Sequence, residues 1–395
     1  MNPSASFPKL SVPVVVVPPR AIPHAELVDT VRQQYDAVFP ANSPQGSVVA
    51  RAVTMAGNLA IDTHPLHLTL SEIMATVGFG ARNAAAWDAF YSYAIPAADA
   101  ALRNVSLTGP EIDVVIFESS TLIAMPSPIT VLAKVLGLRP DCAALPVFGM
   151  GCRGGAHAIT VGYQWLRAHP RNKALIVTAD FASPHFHVEL DLSDTALVGS
   201  IVSSTLFSDA AAAAVMSNDL SAGIEILDTA RYEVPGTPDA IEWVVTDEGP
   251  RFRLTSDAVR SIPALGPTLR ALLAGNGWSS ADLAICALHV GGNAIIRDVQ
   301  RTLGLTDHQV APAWASLTRG NLMSSAVLDV TSRIAASPEW RPPHGAPVLG
   351  GGYGPGFGMD AYIGRAWLQD NNIRAVDILG DSTTAAQRRP LITVG

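Results

Sequence analysis

Alternating strand-like and helix-like segments, strands of the fully buried type, and a composition rich in apolar residues predict an α/β protein. Apolar, β-branched runs DVVIFES (113–119), KALIVTA (173–179), AAAVMS (212–217), ADLAICALHV (281–290) and PVLGGGYGPG (347–356) read as buried strands. Between them, 24–39, 88–105, 128–138, 156–170, 266–278 and 294–305 read as helices. That succession implies helices covering largely buried sheets. Hydrophobic residues make up 48% of the chain and charged residues 15%, which excludes a disordered protein.

A chain of 395 residues is long for one hydrophobic core, so two packed halves are expected. The polar, turn-rich stretch DTARYEVPGTPDAIEW (228–243) marks a junction between them. The first ten residues and the tail after about residue 370 read as peripheral. A formal net charge of −8 argues against a nucleic-acid partner. Three cysteines without a CxxC are no disulfide framework, which fits a reducing cytoplasm. The opening MNPSASFPKL lacks a signal-peptide pattern, and no apolar run reaches the roughly 20 residues that span a bilayer.

The chemistry-bearing candidates are few. Cys152, in PVFGMGCRGGAH (146–157), follows an apolar run and precedes a helix-like segment. A helix N-terminus favours the thiolate, and Gly151, Gly154 and Gly155 would permit a tight turn and close substrate approach. A small buried residue at a strand–helix corner is the alternative. Cys142 and Cys286 lack glycine neighbours and read as structural. Among ten histidines, His289 ends the run ICALHV before GGN, at a strand end or in the core. Asn321, in TRGNLMSSAVL (318–328), suits either a helix cap or a polarising amide donor.

Taken together and in this order, these segments resemble the type III polyketide synthases, the chalcone and stilbene synthase family on the thiolase fold. GMGCRGGAHA resembles the family's nucleophile loop, and SSTLFSDAAAAAVMS (203–217) its LFGDGAAA segment. ALHVGGNAIIRDVQRTLGL (287–305) is similar to HPGGPAI…LGL, and RGNLMSSAVL to GNMSSA. GGYGPGFGMD (351–360) resembles the GFGPG loop, and MPSPITVLAKVLGLRP (125–140) the helix before the nucleophile. The first hundred residues match poorly.

The resemblance implies a thiolase-like five-layer αβαβα fold of two similar halves, 1–225 with the cysteine and 226–395 with the His/Asn pair. It implies an acyltransferase that joins malonyl-CoA to an acyl-CoA starter by iterative decarboxylative Claisen condensation, then cyclises the chain to a pyrone or phenol. Cys152 would carry the acyl thioester, supported by His289 and the helix end. His289 and Asn321 would donate hydrogen bonds to the enolate, and the Cys152 N–H to the tetrahedral intermediate. No metal or other cofactor is needed, because departing CO2 drives the step. Phe207 and Phe252 match gatekeepers between a CoA tunnel and the cavity, Ser120 and Thr121 its hydroxyl lining. Met125 matches a methionine that enters the partner subunit's cavity, which implies a homodimer. Arg51 is the candidate for CoA phosphates, a solvated surface arginine being the alternative.

Departures from the pattern bear on specificity. Arg153 follows the cysteine where a small or apolar residue is usual, and pairs with an acid or contacts substrate. LFSDAAAA trades glycines for serine and alanine, Leu122 stands in place of glycine, and Met323 in place of a cavity serine. Trp243 falls near a position that limits cavity volume. A reshaped, more apolar cavity follows. Two other readings share the fold: a ketoacyl-ACP synthase III-like single condensation, and a non-catalytic thiolase-fold partner. HVGGN and GYGPG favour the iterative synthase over the former, and the intact cysteine, histidine and asparagine argue against the latter.

Overall fold

The computed structural model describes residues 6–188 and 193–368, so the tail after residue 370 lies outside the described residues. A ten-stranded mixed sheet organises the chain. It runs Ile285–Leu288, Pro347–Gly354, Gly358–Trp367, Gly223–Glu233, Lys9–Leu10, Ala210–Ser217, Lys173–Asp180, Val114–Glu118, Ala143–Val147, with Val14–Val16 also joined to Ala210–Ser217.

Its two sides repeat one pairing pattern. Val114–Glu118 lies parallel to Lys173–Asp180, which is antiparallel to Ala210–Ser217, itself antiparallel to Val14–Val16. Ile285–Leu288 likewise lies parallel to Pro347–Gly354, then antiparallel Gly358–Trp367 and Gly223–Glu233 follow. Strands buried on both faces read as continuous apolar runs, and Val114–Val115–Ile116 and Ala210–Ser217 are such runs. Two helices, Gly154–Ala168 and Ala326–Ala336, pack against strands of both sides and form the central layer. Ile95–Asn104 covers one sheet half from outside, and Ile262–Gly275 the other. The layers are therefore helix, sheet, helix, sheet, helix.

Three readings of the sequence are corrected here. The N-terminal ten residues are not all peripheral: Lys9–Leu10 pairs with Ala210–Ser217 on one side and Gly223–Glu233 on the other, and Leu10 is wholly buried. Two residues are too short for a periodic signal, and tertiary pairing decides their place. The polar stretch 228–243 is not a loop throughout. Its first part belongs to the Gly223–Glu233 strand, and its end enters a hairpin of Ile241–Thr246 with Gly249–Leu254. Polar side chains there line a partly exposed sheet face; the 225/226 division falls inside the strand. The 88–105 helix is interrupted by a π turn, Phe90–Ala94, before Ile95–Asn104. Pro96 has no N–H to give the preceding turn, and a local π adjustment accommodates that.

The glycines beyond the cysteine serve packing rather than substrate access. A Cβ on Gly155 would fall 2.1 Å from the Ser324 carbonyl oxygen, and one on Gly154 2.2 Å from the Glu118 carboxyl carbon. Only Gly151 among the three has a left-handed backbone, at φ +51°. Gly155→Ala must push the Gly154–Ala168 helix away from the Met323–Ser325 turn. The expected cost is about 1–3 kcal/mol, read as a lower denaturation midpoint in urea. An unchanged midpoint would contradict the close approach.

Candidate active site

Cys152 sits in a 3-10 turn, Gly151–Arg153, that leads directly into the Gly154–Ala168 helix. The turn is pinned by the Gly151 N–H, which donates to Ser120 Oγ at 2.8 Å. Asn321 arrives from the opposite side of the sheet. Its backbone N–H donates to the Leu206 carbonyl at 2.8 Å, and its own carbonyl accepts from the Ser208 N–H at 3.0 Å. Its side-chain oxygen accepts from the Met323 N–H at 2.8 Å, and its Nδ2 donates to Cys152 Sγ at 3.5 Å. The helix-cap role is not the one observed: the oxygen closes a local turn on Met323, neither following helix has a side-chain cap, and the amide nitrogen faces the sulfur. Met323 is buried and carries φ +51°, a strained conformation for a long side chain, as this tight segment requires.

His289 follows the Ile285–Leu288 strand. Its N–H donates to the Gly351 carbonyl at 2.9 Å, and its carbonyl accepts from the Tyr353 hydroxyl at 2.5 Å. The ring packs edge-on to Tyr353, with centroids 5.4 Å apart. It is 1% exposed, and neither ring nitrogen has a hydrogen-bond partner among the described residues. Buried polar atoms are rarely left so. Burial holds the imidazole down at about 3 and therefore uncharged.

The helix end alone does not supply the thiolate that the sequence suggests. Burial pushes the Cys152 thiol up to about 12; the Asn321 hydrogen bond opposes this, and the Asp180 and Glu118 carboxyls reinforce it. A thiolate here needs a proton acceptor within the site.

Those two carboxyls were missed by sequence reasoning, although each was visible as an acid ending an apolar run. Asp180 accepts from the Ser120 N–H at 2.8 Å and from the N–H and hydroxyl of Thr121, both at 3.2 Å. It also accepts from the Ser324 hydroxyl at 2.5 Å. Burial raises Asp180 against these hydrogen bonds. Glu118 is wholly buried, accepts from Ser120 Oγ at 3.3 Å, and is held well above the carboxylate range by burial and then by Asp180.

A carboxyl whose folded value exceeds its ordinary 4.5 stabilises the fold fully below that value and loses the contribution as pH rises. Glu118→Gln removes this loss. Its unfolding midpoint relative to the parent should therefore climb as pH rises above about 5. A difference independent of pH would contradict the raised value.

Arg153 pairs with acids. Its Nη1 lies 2.7 Å from Glu233 Oε1 and its Nε 4.0 Å from Asp360 Oδ2, while His157 Nδ1 is 3.1 Å from Asp360 Oδ1. The buried guanidinium thereby ties the Gly151–Arg153 turn to the Gly223–Glu233 and Gly358–Trp367 strands.

The other residues singled out in the sequence fall into two groups. Phe207 forms a backbone bridge with Asn321, and its ring meets Phe252 edge-on at 5.2 Å. Trp243 pairs with Phe252 across the hairpin. All three line one open pocket. Ser120 and Thr121, expected as its hydroxyl lining, are not among the residues that line it; their hydroxyls are bound as described to Gly151 and Asp180. Cys286 is buried and Cys142 partly so. Arg51 is not drawn into the site: it is exposed on the Pro44–Gly57 helix, 3.8 Å from Asp194. Met125 is 98% exposed, on the segment before the Ile129–Leu136 helix.

A cysteine at the head of a central helix, with a histidine and an asparagine brought in from the other half of a duplicated sheet, defines a thiolase-fold enzyme. The FAE1/Type III polyketide synthase-like protein family profile matches residues 73–237. A 1,3,6,8-tetrahydroxynaphthalene synthase of Streptomyces peucetius subsp. caesius is 31% identical over 322 residues, 79% of this chain and 81% of that protein. A phloroglucinol synthase of Pseudomonas fluorescens is 29% identical over 359 residues, 90% of this chain and 98% of that protein. The crystal structure of 1,3,6,8-tetrahydroxynaphthalene synthase from Streptomyces coelicolor A3(2) superposes with a TM-score of 0.83 at 28% identity, covering 91% of this chain and 99% of that one. The chain belongs to the type III polyketide synthase family, and it is an enzyme of the acyltransferase type. Among the described residues, no helix is long and apolar enough to cross a membrane.

Proposed function

We propose that this enzyme condenses malonyl-CoA iteratively onto an acyl-CoA starter held as a thioester on Cys152, and cyclises the product to a pyrone or phenol. The observation that carries the proposal is Asn321 Nδ2 at 3.5 Å from Cys152 Sγ, together with the buried His289, whose ring nitrogens lack partners among the described residues. In loading, the Cys152 sulfur attacks the starter carbonyl as its proton passes to His289, and the CoA thiolate leaves and takes that proton. The transfer creates the thiolate only when it is used, against surroundings that otherwise oppose it.

Malonyl-CoA then loses CO2, and the electron pair of the broken bond delocalises onto the thioester oxygen. His289, through its one N–H, and Asn321, through Nδ2, donate to that oxygen. The enolate carbon attacks the Cys152 thioester; the tetrahedral intermediate collapses by expelling the Cys152 thiolate, leaving a chain two carbons longer on CoA. The Cys152 N–H is placed in the proposal as donor to that intermediate. Phe207 and Phe252 exclude water and orient the malonyl group. CO2 release supplies the driving force, so the scheme calls for no metal or other cofactor.

The exposed Met125 fits a methionine that completes a second subunit's cavity, so the working unit is proposed to be a homodimer in the cytoplasm, where CoA thioesters are made. The halves 1–225 and 226–395 then supply the nucleophile and the enolate-binding pair respectively. Carbon-labelled malonyl-CoA with a panel of acyl-CoA starters tests the reading by mass spectrometry. Label in multi-ketide products supports it. Consumption of malonyl groups only with an acyl carrier protein would favour a single-condensation synthase.

A further inference from the structure

His185 occupies the 3-10 turn Ser183–His185 and is 5% exposed. Its Nε2 lies 2.6 Å from the Thr121 carbonyl oxygen. Only a donor can face a carbonyl, so Nε2 carries the ring proton and Nδ1 presents a lone pair. Nδ1 is buried and has no partner among the described residues.

The same residue lines the pocket shared with Phe207, Phe252 and Trp243, its ring 6.1 Å from that of Trp243. Other polar groups of this cavity are already engaged. The Ser203 and Ser204 hydroxyls donate to the Ser200 carbonyl at 2.9 and 2.7 Å, and Ser200 Oγ accepts from the Tyr35 hydroxyl at 2.7 Å. His187, also in the lining, contacts the His185 carbonyl at 3.0 Å, and Arg82, outside the lining, donates to the carbonyls of Pro184 and Phe186. Burial first, then the nearby Arg82 and His187, hold His185 down at about 4, uncharged at neutral pH. A fixed, neutral acceptor thus stands in a cavity whose lining also includes aliphatic and aromatic side chains, serines and Arg251.

We propose that His185 Nδ1 is a specificity-determining acceptor that binds a ligand hydroxyl, an enol or phenol, in the cavity beside Phe207 and Phe252. The ligand class rests on the polyketide reading; the acceptor itself rests on the geometry. A chain held by Cys152 acquires acidic enol groups as it lengthens. An acceptor fixed through Thr121, one residue from the Ser120 that pins Gly151, would set which of them is held.

The test uses full-length protein with resorcinol and 1,3-dimethoxybenzene as probes, in calorimetric titrations. The parent should bind resorcinol roughly tenfold more tightly, as one neutral hydrogen bond allows. His185→Gln, whose amide N–H keeps the bond to Thr121 but offers no acceptor at the Nδ1 position, should lose that preference. In 15N-histidine-labelled parent protein, the unprotonated nitrogen of His185 should move upfield with resorcinol and not with the ether, which needs no variant to fold. A preference that survives in His185→Gln, or no preference in the parent, overturns the assignment. Malonyl-CoA consumption in the same preparations reports separately on the polyketide reading: binding with the stated preference but no consumption would sustain the acceptor and refute the synthase.

Discussion

Replacing Cys152 by alanine should reduce condensation by at least about 10^3-fold while leaving malonyl-CoA decarboxylation within about tenfold of the parent. The two steps separate because they use different groups. Condensation needs a covalent acyl chain, and among the three cysteines only Cys152 lies at the glycine-flanked turn facing Asn321. Decarboxylation needs donors at the thioester oxygen, which Cys152→Ala leaves in place. Labelled CO2 release and labelled product measured on one sample read both steps. Loss of both in a variant with a normal unfolding midpoint would mean that the sulfur also serves the decarboxylation.

His289→Ala and Asn321→Ala should show the converse, each lowering CO2 release by about 10^2–10^3-fold. Loading of Cys152 should separate the two variants. His289 is the proposed acceptor for the thiol proton, so His289→Ala should also slow acylation. Asn321→Ala removes a hydrogen bond that favours the thiolate but leaves the acceptor, and acylation should fall far less. Asn321→Ala also frees the Met323 N–H, in a strained turn, so its folding is checked by its urea midpoint. Equal loss of acylation in both variants would argue that the asparagine, not the histidine, governs the thiol.

The long buried strands were legible in the sequence because burial on both faces leaves an unbroken apolar run, as in Val114–Glu118 and Lys173–Asp180. Gly223–Glu233 and the 241–254 hairpin were not, since partly exposed strands carry polar residues that read as turns. Lys9–Leu10 gains its place only from two partners more than 200 residues away. In the site, Cys152 announces itself through its glycines, whereas the work of those glycines becomes plain only beside Glu118 and Ser324. Glu118 and Asp180 lay in view as acids closing apolar runs. His185, in SPHFH, looks like an ordinary loop residue; its fixed tautomer and unpartnered nitrogen are properties of the fold. The partners of Arg153 lie on two strands distant in sequence, which left acid pairing and substrate contact equally open until the fold brought Glu233 and Asp360 beside it.

Intact-protein mass spectrometry after brief mixing with an acyl-CoA, followed by peptide mapping, reads covalent loading itself. One acyl group per chain is expected, on Cys152, lengthening by ketide units when malonyl-CoA is added. An adduct on Cys142 or Cys286, or turnover with no covalent acyl group on Cys152, would contradict it.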